Sequence, residues 1–201
     1  MEQYNTDKYA HGFIDVYEPY FNSMPDSKNI LEIGVYYGGS LKYLSDKFKD
    51  GNIYGIDIED KTQYNENRIK TYIVNQEDRD ALNKFLDETN IEFDIIIDDG
   101  GHTMKQQQVS LGVLFKRLKK GGIYILEDLH TSRLENFGTI FPDDLITTLD
   151  MLYTIKYTNH VVSNHILDDE KEYLKNNIED IRVWTKTPDY NQSVTSIIKK
   201  L

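Results

Sequence analysis

Residues 93–102 read FDIIIDDGGH, an apolar run that passes directly into two aspartates, two glycines and a histidine. A short run this rich in Ile predicts a strand buried on both faces, as in a parallel sheet covered by helices. The abrupt change after Ile97 admits two readings. The strand leaves the core for the surface, or its carboxyl end is the floor of a binding site. In an open α/β sheet ligands bind outside the carboxyl ends of the strands, so the ends of the other strands decide between the two.

Working outward, similar runs stand at NILEIGV (29–35), NIYGIDI (52–58), TYIVN (71–75) and GIYILED (122–128). Helical spacing separates them. Leu41, Leu44 and Phe48 follow the first run, and Leu82, Phe85 and Leu86 follow Asp78, a residue type suited to an N-cap. Leu111, Leu114, Phe115 and Leu118 share one face that Gly121-Gly122 stops. Ahead of the first run, Phe13, Val16, Tyr17 and Tyr20 mark an amphipathic helix. This alternation predicts an α/β, Rossmann-like, doubly wound and mostly parallel sheet. After Asp128 the pattern blurs into loop and helix over 131–165, a charged helix at 169–177 and late strands at 181–184 and 194–198. No repeat or Pro/Gly/Ser linker divides the chain, so we read one domain over 1–201. It comprises an N-terminal helical segment (1–28), a cofactor-binding core (29–130) and a substrate side (131–201).

Composition narrows the function. The 201 residues are 39% hydrophobic and 28% charged, ordinary for a globular domain. A net charge of −11 argues against a nucleic-acid partner, because the phosphate backbone would be repelled. With no cysteine, disulfides, thiolate metal sites and thiol nucleophiles are excluded. No apolar run is long enough for a membrane span, and MEQYNTDKYA lacks the pattern of a signal peptide. The expected location is the cytoplasm.

Four of the five strand ends carry carboxylates: Asp57, the NQED that follows Val74, Asp98-Asp99, and Glu127-Asp128. Gly34, Gly38 and Gly39 follow the first strand and open a helix, so backbone N–H groups there can approach a ligand. The turn is G-x-x-x-G-G, with Tyr36 where a dinucleotide fingerprint has its second glycine. Asp57 lies about 20 residues beyond Gly34, a spacing that suits the two hydroxyls of a ribose. Glycine turn and acid together indicate a nucleoside-containing cofactor. If the fourth and fifth strands are neighbours, their ends are about 4.8 Å apart, and carboxylates from both can hold one divalent cation. Oxygen ligands favour Mg²⁺, Mn²⁺ or Ca²⁺. His102 sits at the mouth of this site with a near-neutral reference pKa suited to a general base, and His130 is the second candidate. His11, His160 and His165 are left as structural.

In order and spacing, NILEIGVYYGGSLKYL, IYGIDIED, NQED, FDIIIDDGGH and LKKGGIYILEDLHTS resemble the class I S-adenosylmethionine-dependent methyltransferases. Within them the chain is similar to the metal-dependent sugar O-methyltransferases of macrolide mycinose pathways and their cephalosporin-hydroxylase-like relatives. The start, TDKYAHGFIDVYEPYF, resembles that subgroup as well. The resemblance implies seven strands, the last antiparallel. It implies S-adenosylmethionine held by Glu32, Gly34, Tyr36, Gly38, Ser40, Asp57, Gln76, Asp78 and Asp98. It also implies a divalent ion, with Mg²⁺ expected, on Asp99 and on Glu127 or Asp128, and His102 as base. Gly101 departs from the serine frequent in relatives. The chain is also short after Asp128, so elements that cover the substrate would be reduced or supplied by a partner, and a homo-oligomer is compatible. The expected acceptor is a small, sugar-like molecule. Two rival readings stand beside it: an NAD-dependent oxidoreductase, which the missing second glycine disfavours, and a non-catalytic nucleoside-binding or assembly protein.

Overall fold

The computed structural model describes residues 4–133, 146–186 and 193–201. Among them, seven strands form one sheet: β1 (Asn29–Ile33), β2 (Asn52–Asp57), β3 (Ile69–Ile73), β4 (Phe93–Asp98), β5 (Leu118–Leu126), β6 (Ile178–Lys186) and β7 (Ser193–Lys200). Their order is β3-β2-β1-β4-β5-β7-β6. The first five are parallel; β7 runs antiparallel to both β5 and β6, so the expected reversed last strand is present. The helices are α1 (Phe13–Ser23), α2 (Gly39–Lys47), α3 (Arg79–Thr89), α4 (Met104–Leu114), α5 (Thr148–Thr158) and α6 (Asp168–Asn177).

Side-chain alternation along each strand feeds two cores, one per face of the sheet. Leu31, Ile33, Tyr54, Ile56, Ile96, Tyr124 and Leu126 pack with Leu82 and Phe85 of α3, Leu111 and Leu114 of α4, and Leu152 of α5. Their neighbours Ile30, Ile53, Ile95, Ile97, Ile123 and Ile125 pack with Phe13, Tyr17 and Phe21 of α1 and Leu41 and Leu44 of α2. Each fully buried Ile or Leu contributes roughly 1.5–3 kcal/mol. This is why near-continuous apolar runs mark the strands.

Several boundaries differ from the sequence reading; β1 and β3, for instance, end at Ile33 and Ile73 rather than at Val35 and Asn75. Gly121-Gly122 does not stop α4, which ends at Leu114 and passes through a 3₁₀ turn, Phe115–Arg117, into β5. The β4–β5 register shifts between Phe93 and Ile95, opposite Leu118 and Ile123, and Gly121 takes φ +74 within this irregularity. β5 stops at Leu126 rather than Asp128, whose φ of +51 turns the chain out of the sheet. The late strands are longer than their apolar centres suggest, because their ends are polar. Of the region read as loop and helix, 134–145 lies outside the described residues. Among the described residues no helix is long and apolar enough to cross a membrane.

Candidate active site

A cavity of about 600 Å³ opens across the carboxyl ends of the parallel strands. One wall is the turn after β1. Gly34 has φ +85, and a Cβ there would lie 2.2 Å from the Asp99 carbonyl oxygen, so glycine lets the turn close against the end of β4. The Asp57 carboxylate braces this turn. Its Oδ2 accepts the Val35 N–H at 2.8 Å and the Tyr36 N–H at 3.3 Å, and its Oδ1 accepts the Glu59 N–H at 3.0 Å. Asp57, Gly34 and Tyr36 all line the cavity.

Gln76, also on the wall, links two loops. Its Nε2 donates to Asp98 at 3.0 Å and its Oε1 accepts the Gly101 N–H at 2.7 Å. Asp98 itself is buried away from the cavity and is occupied by Ser110 Oγ at 2.5 Å and the Tyr124 hydroxyl at 3.2 Å. Burial raises its pKa in spite of these donors. Asp98 therefore shapes the Gly100-Gly101 turn from behind.

Four other residues from the expected cofactor set also stand off the cavity wall. Asp78 caps α3, accepting the Asp80 and Ala81 N–H groups. Gly38 starts α2 at φ +72, packed against the Tyr64 ring. Ser40 lies buried in the first turn of α2, and Glu32 is wholly buried within β1. A strand-end or turn position in sequence does not say which face a side chain takes.

Asp99, His102 and Asp128 converge from β4 and β5, each offering a ligand atom within 4.8 Å of the others. His102 Nε2 is 3.5 Å from Asp128 Oδ2, and His130 Nδ1 is 3.8 Å from Asp128 Oδ1. His102 (φ +61) and Asp128 (φ +51) are both held in the left-handed region. Such backbone costs of order 1–3 kcal/mol per residue and clusters at functional sites. Burial, reinforced by Asp99, raises the Asp128 pKa against the pull of His102; burial lowers that of His130. Asp99 and Asp128 offer carboxylate oxygens, which fit a hard divalent ion such as Mg²⁺ or Mn²⁺, and the His102 imidazole stands beside them.

Glu127 is not in this group. It is fully buried, with Oε1 2.5 Å from the Lys8 ammonium, and the Tyr17 hydroxyl lies against it short of hydrogen-bond geometry. The same ammonium bonds Asp99 Oδ2 and stands 3.5 Å from Glu32. Burial drives Glu127 well above the carboxylate range, helped by Asp99 and opposed by Lys8. Burial likewise pushes Glu32 up to about 7 against the pull of Lys8. Burial alone would lower Lys8, but Asp99, Glu127 and Glu32 together raise it well above the usual lysine value. Sequence reasoning gave Lys8 no role. Its partners lie 91 and 119 residues away, and the one signal was its place in the TDK that opens the resembling N-terminal stretch.

The sheet order and this cleft define a Rossmann-like methyltransferase fold. Residues 31–129 match the family described as "Methyltransferase domain". The resemblance to sugar O-methyltransferases is borne out. The 8-demethyl-8-alpha-L-rhamnosyl tetracenomycin-C 2'-O-methyltransferase of Streptomyces olivaceus is 34% identical over 159 residues, covering 75% of this chain and 42% of that protein. The mycinamicin VI 2''-O-methyltransferase of Micromonospora griseorubida is 35% identical over 146 residues, 68% of this chain and 36% of that one. Among solved structures, the mycinamycin-pathway methyltransferase MycE in complex with Mg, SAH and mycinamycin VI superposes with a TM-score of 0.74. It is 28% identical, over 94% of this chain and 49% of MycE. The chain thus spans less than half the length of each of these relatives.

Proposed function

We propose that the chain transfers the methyl group of S-adenosylmethionine to a hydroxyl of a small, sugar-like acceptor, with Mg²⁺ as the assisting ion. The observation that carries this reading is the convergence of Asp99, His102 and Asp128 beside the cavity walled by the Gly34 turn and Asp57. The class of acceptor follows the relatives, which act on sugars attached to polyketides by their names.

When bound, the sulfonium cofactor supplies an electrophilic methyl, and the ion makes a hydroxyl more acidic. The chain's own groups do the rest. Asp57 meets the ribose, and the Gly34 turn admits the cofactor close to the backbone. Asp99 and Asp128 hold the ion. His102 accepts the hydroxyl proton, and the Asp128 carboxylate at 3.5 Å steadies the imidazolium that results. Holding methyl and hydroxyl in line contributes about 7–11 kcal/mol of the barrier reduction. Residues 29–130 serve as the cofactor core and 131–201 as the acceptor side. Tyr36, at the position of a second glycine, disfavours a pyrophosphate and with it the NAD reading.

Calorimetric titration with S-adenosylhomocysteine, with and without Mg²⁺ and with NAD⁺ as comparator, tests this. Micromolar binding of the homocysteine product with NAD⁺ silent is the expected result. Absence of binding under both conditions would falsify the proposal.

A further inference from the structure

The mechanism above leaves Lys8 unused, yet the fold goes to some length to bury it. Its side chain is 2% exposed, and desolvating an ammonium is costly unless its partners compensate. Those partners end three adjacent parallel strands: Glu32 in β1, Asp99 after β4 and Glu127 after β5. The ammonium takes one oxygen from each of the two nearest, Oδ2 of Asp99 and Oε1 of Glu127. Asp99 belongs at once to the buried ion-pair cluster and to the group at the cavity.

Charge balance points the same way. Glu32, Asp99, Glu127 and Asp128 converge here, and the Lys8 ammonium pairs with the first three. With Lys8 present, a divalent ion at this edge stands beside a buried cation; without Lys8, it faces the same carboxyl groups with no cation among them.

We infer that Lys8 is a positioning residue of the metal group, fixing the orientation of Asp99 and Glu127 and offsetting their charge so that a divalent ion is held in place without being over-bound. The inference rests on Asp99 being a metal ligand in the proposed reaction. It also gives the N-terminal segment a reason to be there. Lys8 carries with it Asp7, which lines the cavity, and Asn5, whose carbonyl packs on Gly39.

The test compares wild type, Lys8→Met and Lys8→Met/Glu127→Gln in Mn²⁺ binding followed by electron paramagnetic resonance, in S-adenosylhomocysteine affinity and in turnover. Removing one positive charge beside the ion tightens Mn²⁺ by about fivefold or more in Lys8→Met. Releasing Asp99 from its orientation lowers turnover by about tenfold or more. Homocysteine-product affinity stays within about threefold, because Lys8 does not line the cavity. Replacing Glu127 as well removes the carboxyl group that Lys8 had occupied and returns Mn²⁺ affinity to the wild-type value or below. A Lys8→Met protein that binds the homocysteine product normally, and Mn²⁺ no tighter than wild type, overturns the assignment. If the single variant does not fold, wild-type turnover in the double variant overturns it equally. Wild type that binds the homocysteine product but no Mn²⁺ removes the metal group and this inference with it. Wild type that binds neither defeats the proposed function itself.

Discussion

Asp57 and Asp99 both follow an apolar strand, yet their surroundings assign them different work. Asp57 spends its oxygens on the N–H groups of Val35, Tyr36 and Glu59 and lines the cavity beside the glycine turn. Asp99 is held from behind by Lys8 and faces His102 and Asp128. Asp57→Ala opens the turn and removes the ribose partner. We expect S-adenosylhomocysteine affinity to fall by about 1.5–3 kcal/mol, the worth of a hydrogen bond to a charged group. Asp99→Asn keeps the shape and removes the charge. Turnover should then fall by about 10²-fold, the cost typical of losing a fixed electrostatic partner, with cofactor affinity changed by no more than a few-fold. Steady-state kinetics beside calorimetry on both variants reads the two losses separately. A large loss of cofactor affinity in Asp99→Asn would move that residue from metal to cofactor.

At the scale of elements, β1, β2, β4 and β5 were legible because their apolar runs are buried on both faces, whereas the edge strand β3, with Lys70 and Ile73 exposed, was read two residues late. The start of β5 was not legible, since Lys119-Lys120-Gly121-Gly122 has the polarity and flexibility of a helix stop while it belongs to a strand with a shifted register. The candidate site was legible as a set of strand ends, but orientation was not. Alternation sends Asp98 inward to Ser110 and Tyr124, whereas its neighbour Asp99 reaches the cavity. Least legible was the segment before α1, which has no periodicity of its own and is held by contacts distant in sequence. One of these is testable. A Cβ on Gly39 would lie 2.0 Å from the Asn5 carbonyl oxygen, so Gly39→Ala cannot coexist with the segment in place. Overpacking of this kind costs about 1–3 kcal/mol. Hydrogen exchange should show residues 4–12 losing protection while β1, β4 and β5 keep theirs. Unchanged protection over 4–12 would mean that the contact does not hold the segment down.

For the molecule as a whole, the concentration of carboxylates at one edge of the sheet sets how stability depends on pH. Glu32, Asp98, Glu127 and Asp128 all have their pKa raised, with burial the largest cause in each. The native state therefore binds more protons than the unfolded chain, and stability falls as pH rises through the interval between the two values. For Glu32 that interval runs from 4.5 to about 7. Taken alone it amounts to about 3 kcal/mol lost across the window. Carboxylates with lowered values, such as Glu18 and Asp169, act in the opposite direction but below their ordinary range, so they govern acid unfolding instead. The raised Lys8 holds its contribution fully below the ordinary lysine value and is silent in this window. Self-repulsion from a net charge of −11 has the same sign as the Glu32 effect. Metal-free protein should accordingly be more stable near pH 5 than near pH 7.5, the reverse of a protein whose carboxylates are chiefly salt-bridged. Urea unfolding across that range, on wild type and on Glu32→Gln, measures it. The variant should show a flatter slope, because glutamine removes the titration while filling the same space. A wild-type stability that climbs steadily towards pH 7.5, or an equal slope in the variant, would mean that Glu32 is ionised in the folded protein and that Lys8 outweighs its burial.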